Sequence, residues 1–354
     1  MRPPSSLRLG PLAWLRANLF NSWLNSLITL VLLWMLLELV PPLLRWLVFN
    51  AQVSAPDAQA CRAAGGACWA FIREKYRLIL FSTYPYDQQW RPLLAILAIM
   101  AMLAASCDRR LWRWLPLLWL GGLGTVAVLM WGGVFGLPFV ENRLWGGLPL
   151  TLILATVGLM AAFPLSILLA LARRSDMPVI RAVAVIYIEL IRGVPLVSLL
   201  FMASIMLPLF LPAGVTIDKL LRAQIAFILF ASAFLAESIR AGLQAIPHGQ
   251  YEAADALGLG YWRKMRLVVL PQALTLVIPP MVNTFIVVFK DTSLVVIVGL
   301  LDLLTSAKIS INSADWRGFY REAYLFIAVI YFVFCFFMSR YSQWLERDLR
   351  RGPI

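Results

Sequence analysis

His248–Leu274 reads HGQYEAADALGLGYWRKMRLVVLPQAL, the longest polar, glycine-punctuated stretch in the second half of an otherwise apolar chain. Pro247, just before it, suits the first turn of a new helix. Ala, Glu and Leu between His248 and Leu257 favour helix. Glu252 and Asp255 are read as early and central acids that suit its dipole, and Gly258 and Gly260 as its stop. Tyr261 to Val269 restarts, carrying Arg263, Lys264 and Arg266, and Leu270-Pro271 leads into the next apolar run. The expectation is two short helices, about 247–269, on a membrane surface and joined by a glycine hinge. Two roles fit them. They rest on anionic lipid headgroups, or they dock into a groove of a soluble partner, for which Ala253, Ala254 and Ala256 leave room.

The rest of the chain sets this stretch in a membrane. Of 354 residues, 61% are hydrophobic and 14% charged, where a soluble domain carries about a quarter charged. Apolar runs recur along the whole length, which points to an all-α, polytopic helical membrane protein. A net charge of +13 raises nucleic-acid binding as a class. The basic residues flank apolar runs instead of forming one soluble patch, so the expected partner is the lipid bilayer and not nucleic acid. The N-terminal residues lack a small-residue cleavage site after a short apolar core, so no cleaved signal peptide is expected. With one histidine, His248, and no zinc-ligand spacing, no metal site is expected. Cys61 and Cys68 bracket CRAAGGAC; the spacing allows a small disulfide loop outside the cytoplasm, or two unpaired thiols.

Eight spans are legible, near Ser22–Val40, Pro92–Ser106, Leu115–Phe139, Leu148–Ala172, Arg181–Leu211, Ala223–Ala245, Ala273–Phe289 and Ala323–Met338. The first has room to continue past Pro41-Pro42, and the fifth is broken at Gly193 and Pro195. Basic residues place both termini inside: Arg2, Arg8 and Arg16 at the start, and Arg340, Arg347, Arg350 and Arg351 at the end. Arg109, Arg110, Arg113, Arg173, Arg174 and Arg181 fall on the same side, as do Arg263, Lys264 and Arg266. The short outer connections hold Arg143 alone, and Lys219 with Arg222. The run SLVVIVGLLDLL, Ser293–Leu304, is half a span in length. Crossing with it would put the basic tail outside, so it reads as a half-membrane or interfacial helix packed on protein. No nested repeat is visible. A boundary near Trp145 divides a three-span extension, 1–145 with an outer loop at about 47–90, from a core of 146–342 and a tail of 343–354.

The polar stretch also carries a spaced pattern. Glu252, Ala253, Ala254, Gly258, Leu270 and Pro271 match Glu-Ala-Ala, three residues, Gly, nine residues, Ile-x-Leu-Pro, with Val268 in place of the isoleucine. This resembles the EAA loop of permease subunits of binding-protein-dependent ABC importers. GGLPLTLILATVG, YIELIRGVPLVSLLF, AESIRAGLQAIPHGQYEAADALG and FKDTSLVVIVGLLDL resemble the polar amino-acid branch, and most closely the M-type permease subunit of general L-amino-acid importers. The resemblance covers about Leu148 to Arg340. It implies a type I, MetI-like permease core with three extra N-terminal helices, in the bacterial inner membrane. It also implies that Glu252, Ala253, Ala254, Asp255, Gly258, Leu270 and Pro271 form the element that couples the chain to an ATPase. The implied partners are a second homologous permease in a heterodimer, two ATP-binding subunits and a periplasmic amino-acid-binding protein. The chain has no Gly-x4-Gly-Lys-Ser/Thr sequence, so ATP and Mg are expected on the partner, with no cofactor bound by this chain.

Charges within apolar runs are the other candidates, because each is costly in lipid and usually faces protein or water. Lys290 and Asp291, with Thr292 and Ser293, offer both signs to a zwitterionic substrate; the bland alternative is a self-neutralising pair. Asn283 lines the same pathway, or bonds to a neighbouring helix. Glu189 with Arg192, and Glu237 with Arg240, are i,i+3 pairs, read either as structural ion pairs near the interface or as an inner gate. The competing class is a stand-alone, ion-coupled secondary transporter, for which Glu38, Glu189 and Glu237 are the available carboxylates. No nucleophile–base or metal constellation supports a membrane enzyme.

Overall fold

Residues 10–212 and 214–351 are described by the computed structural model. Arg2, Arg8 and the tail beyond 351 lie outside the described residues, as do the side chains of Arg109, Arg350 and Arg351. Hydrocarbon offers the backbone no hydrogen-bond partners, and the helix is the local way to satisfy it. Among the described residues, seven helices are long and apolar enough to cross a bilayer, or up to eight if a bent pair counts as one span. In chain order they are α1 (Trp23–Phe49), α2 (Tyr86–Cys107), α3 (Arg110–Trp131), α4 (Gly147–Arg173), the pair α5 (Pro178–Gly193) and α6 (Leu196–Leu209), and α7 (Lys219–Ala245). The short α8 (His248–Ala256) follows, then α9 (Tyr261–Val298), the short α10 (Leu303–Ile311) and α11 (Tyr320–Asp348).

Two compact units divide the chain, Met1–Glu74 with Ala314–Glu322, and Lys75–Ser313 with Ala323–Ile354. In the first, α1 buries none of its residues in protein, as suits a helix apolar on all sides. It runs on past Pro41-Pro42, which give no N–H to the Leu37 and Glu38 carbonyls, and ends in a widened π turn, Arg45–Phe49. Cys61 and Cys68 are disulfide-bonded, with Cα atoms 5.7 Å apart. Between them Gly65 takes φ +66°, and a Cβ on Gly66 would lie 1.8 Å from the Asn50 carbonyl oxygen. Both glycines are therefore required, one by conformation and one by close approach. Phe71 packs on Trp316 and Phe319, and the Glu322 carboxylate accepts the Cys68 N–H at 3.0 Å.

In the second unit α4 and α7 form the core. Ala223, Ala226, Ala231, Ala233 and Ala236 are buried, and small residues let membrane helices approach closely. A Cβ on Gly158 would sit 3.1 Å from Gln224 Nε2, and one on Gly242 2.7 Å from the Ala273 carbonyl oxygen, so α7 lies tight against α4 and α9. The expected break at Gly193 and Pro195 is a bend of 103° between α5 and α6.

Three expectations change. The second arm of the polar stretch is not a separate surface helix: Tyr261 onward is the start of α9 and continues to Val298. Pro271 has no N–H to give to Leu267, and a π turn over Met265–Val269 takes up the mismatch. The run Ser293–Leu304 is not one helix. Ser293–Val298 finishes α9 as a 3-10 segment, Gly299 turns left-handed at φ +76°, and Leu301–Asp302 is extended. That short strand lies beside Gly146 and Gly147, and Asp302 then caps α10. Lastly, α8 ends at Ala256, so Asp255 occupies its last turn, where a carboxylate opposes the dipole. Lys264 compensates, with Nζ 2.6 Å from the Asp255 carboxylate.

Candidate functional site

The loop between α7 and α9 is a short helix held at both ends. Its C-terminus is a Schellman motif: the Gly258 N–H donates to the Asp255 carbonyl at 2.9 Å and the Leu259 N–H to the Ala254 carbonyl at 3.1 Å. Gly258 has φ +72°, with open space where a Cβ would stand. Glycine is therefore needed for conformation alone. Gly258→Ala is expected to cost about 1–2 kcal/mol, read as faster hydrogen exchange confined to α8. Exchange in α8 unchanged from wild type would contradict this account of the turn.

One face of α8 is tied down. Ala254 is buried. The Tyr251 hydroxyl donates to the Leu243 carbonyl at 3.1 Å, and Arg174, just past α4, donates to the same carbonyl and to the Tyr251 hydroxyl. Gln272 on α9 donates to Gln250 at 3.0 Å, and Lys264 holds Asp255. The helix is thus clamped to the ends of α4, α7 and α9 together. The other face is free: Glu252, Ala253, Ala256 and Leu257 are exposed, Leu257 at 78%, and Glu252 makes no ion pair among the described residues. Leu270 and Pro271 lie in α9 behind the π turn.

Beside this clamp sits a charge network. Arg173 on α4 reaches Glu189 on α5 at 2.8 Å and Glu237 on α7 at 3.4 Å, and Arg240 pairs with Glu237 at 2.6 Å. The Glu237–Arg240 pair is as the i,i+3 spacing suggests. Glu189 instead takes Arg173 from another helix, and Arg192 lies 5.6 Å over the Phe234 ring. Sequence spacing found the local pair and missed Arg173, Arg174, Tyr251 and Gln272, whose partners lie in other helices.

On α9, Leu276, Pro280, Asn283, Val287 and Lys290 are all exposed, which at helical spacing makes one stripe. No ion pair joins Lys290 to Asp291 among the described residues; neighbours on a helix point apart. Asp291 and Ser293 are half-buried. Thr292 is fully buried, its hydroxyl donating to the Phe289 carbonyl at 2.7 Å. Asp302, which the apolar run concealed, is fully buried and accepts the Leu304 and Thr305 N–H groups.

The family of binding-protein-dependent transport system inner membrane components matches over residues 162–351. The chain belongs to this family. The permease is 49% identical over 358 residues to the inner membrane amino-acid ABC transporter permease protein YhdY of Escherichia coli (strain K12), covering 99% of this chain and 96% of that one. It is 38% identical over 418 residues to the glutamate/glutamine/aspartate/asparagine transport system permease protein BztC of Rhodobacter capsulatus, with the same coverage of 99% and 96%. A crystal structure of an amino acid ABC transporter with histidines aligns at TM-score 0.50 and 36% identity, over 56% of this chain and 90% of that one. Both relatives therefore span the N-terminal extension, whereas the solved chain corresponds to little over half of this one. The role is that of an ABC importer permease subunit, and nothing supports the stand-alone secondary transporter.

Proposed function

We propose that the permease imports L-amino acids across the bacterial inner membrane, termini inside, as one half of a permease heterodimer. Two ATP-binding subunits and a periplasmic amino-acid-binding protein complete the complex, and ATP and Mg act on the ATPase. The cargo class follows the names of the relatives that align along nearly the whole chain. The observation that carries the coupling role is the free face of Glu252, Ala253, Ala256 and Leu257 on a helix clamped to three others. Movement imposed on α8 by a partner is transmitted to α4, α7 and α9 at once through Arg174, Tyr251, Lys264 and Gln272. The network of Arg173, Glu189, Glu237 and Arg240 next to the clamp is the candidate inner gate. The N-terminal extension, residues 1–145, adds membrane anchorage beyond the transport core.

The α9 stripe supplies the pathway. An ammonium at bilayer centre costs about 2.5–3.5 kcal/mol on insertion scales, so exposed Asn283 and Lys290 are placed against a second permease or water. Lys290 and Asp291, with Ser293, offer both charges to a zwitterion, and Thr292 fixes the point where α9 tightens into its 3-10 segment. Lys290→Met is expected to reduce ATP-driven amino-acid uptake by the assembled complex about tenfold or more, consistent with loss of one charge-assisted contact. Uptake equal to wild type would remove Lys290 from the pathway. The whole reading is tested by reconstituting the permease with its partners in liposomes. Uptake that needs ATP inside and the binding protein outside is the expected result; uptake by this chain alone, driven by an ion gradient, would overturn it.

A further inference from the structure

At the end of α7 remote from α8, a cavity of about 320 Å³ is lined by Ser204, Ile205, Lys219, Arg222, Ile297, Val298 and Gly299. Its polar side chains are two cations and a hydroxyl, with no carboxylate. Arg222 is 8% exposed; its guanidinium donates to the Ser204 carbonyl, yet its Nε is buried without an acceptor, and the Ser204 hydroxyl is buried without a partner. Ser204 lies in a π turn, Met202–Met206, a backbone irregularity frequent at functional sites. Lys219 is exposed and makes no ion pair among the described residues, and its Nζ is 3.7 Å from where a Cβ on Gly299 would stand. Gly299, at φ +76°, supplies the left-handed turn at which the Lys219 ammonium rests.

Buried donors without acceptors are rare in proteins and call for an explanation. We propose that this cavity is a carboxylate-binding site, at which the α-carboxylate of an amino acid meets Arg222, Ser204 and Lys219 while its carbon skeleton rests on Ile205, Ile297 and Val298. Arg presents a planar fork suited to a carboxylate, and Lys a mobile point charge at the rim. The volume lies at the small end of ligand pockets, which fits a single amino acid. The site is separate from Lys290 and Asp291, and it lies on the side opposite the ATPase-facing helix. It therefore suits the step at which substrate first enters the permease. Choosing an amino acid as the ligand rests on the importer reading; an anionic lipid phosphate carries the same charge and is distinguished by the test.

Lys219 is its own reporter. The full chain in phosphatidylcholine nanodiscs is acylated with an amine-specific reagent, and modification of Lys219 is followed by mass spectrometry against Lys308. L-glutamine is the probe and L-glutaminamide, which lacks the carboxylate, the control. Acylation of Lys219 is expected to slow hyperbolically with L-glutamine, by about tenfold at roughly ten times the dissociation constant, and not with the amide. Arg222→Gln is expected to abolish the protection, and Ser204→Ala, a milder change, to raise the concentration needed about three- to tenfold. No protection, equal protection by the amide, or protection that appears only when phosphatidylglycerol is added would overturn the proposal. ATP-driven uptake by the assembled complex is measured in parallel. Protection without uptake would leave the site standing and remove the importer reading; uptake without protection would do the reverse.

Discussion

Glu252→Lys is expected to detach the ATPase from the permease, weakening the association about a hundredfold. The magnitude is that of breaking one desolvated charge pair at an interface, about 2–5 kcal/mol. Glu252 is the exposed carboxylate on the free face of α8 and has no partner within the described residues. Its replacement is therefore expected to leave the fold of this chain intact, since no hydrogen bond or ion pair among the described residues is lost. Asp255 is the control on the same helix. Its carboxylate is engaged by Lys264, so Asp255→Asn loosens the clamp without removing the free charge. It should alter coupling efficiency more than binding. The measurement is the amount of ATPase co-purifying with each variant across a concentration series. Equal retention by Glu252→Lys and wild type would mean that the partner does not read this face.

Asp302→Ala is expected to destabilise the second unit by about 3 kcal/mol. Loss of a helix cap alone costs about 1 kcal/mol, and each buried donor left without its acceptor adds about 1–3 kcal/mol. Asp302 is fully buried and serves the Leu304 N–H at 2.9 Å, the Thr305 N–H at 3.0 Å and the Thr305 hydroxyl. Its backbone also lies beside Gly147 at the start of α4. The neighbouring Leu303 N–H is taken by the Thr151 hydroxyl at 3.1 Å. Without the cap, α10 should fray, and hydrogen exchange over residues 303–311 should rise while α1 is unaffected. Asp302→Asn keeps an acceptor and should lie within about 1 kcal/mol of wild type. Protection of α10 that survives Asp302→Ala would show that the cap is dispensable.

The span pattern could be read from the chain because each crossing is a local property of about twenty apolar residues. The break at Gly193 and Pro195 was legible for the same reason, since both residues act on their own backbone. Gly258 was legible as a stop, although its reason, a Schellman turn at positive φ, needed coordinates. Partners across helices were not legible. Glu189 has Arg192 one turn away, and spacing favours that pair, yet packing of α4 against α5 brings Arg173 closer. Asp255 was read as central in a helix stopped at Gly258; the helix ends at Ala256, which puts the carboxylate in its last turn, beside Lys264. Asp302 was hidden in SLVVIVGLLDLL because its burial depends on Gly146 and Gly147, more than a hundred residues away. The continuity of α9 through Pro271 was missed because proline usually marks a boundary, and the π turn that removes the conflict leaves no sequence signal.

The contact made by the free face of α8 is the most direct test of the coupling account. A photo-reactive amino acid at Ala256, exposed on that face, is compared in native membranes with one at Leu267, exposed on α9. Cross-links from position 256 to the ATP-binding subunit, changing in yield when ATP is added, with none to that subunit from position 267, are the predicted result. Cross-links from position 256 to lipid alone, with or without ATP, would make α8 a membrane-surface helix and contradict its role as the link between ATP hydrolysis and helix movement.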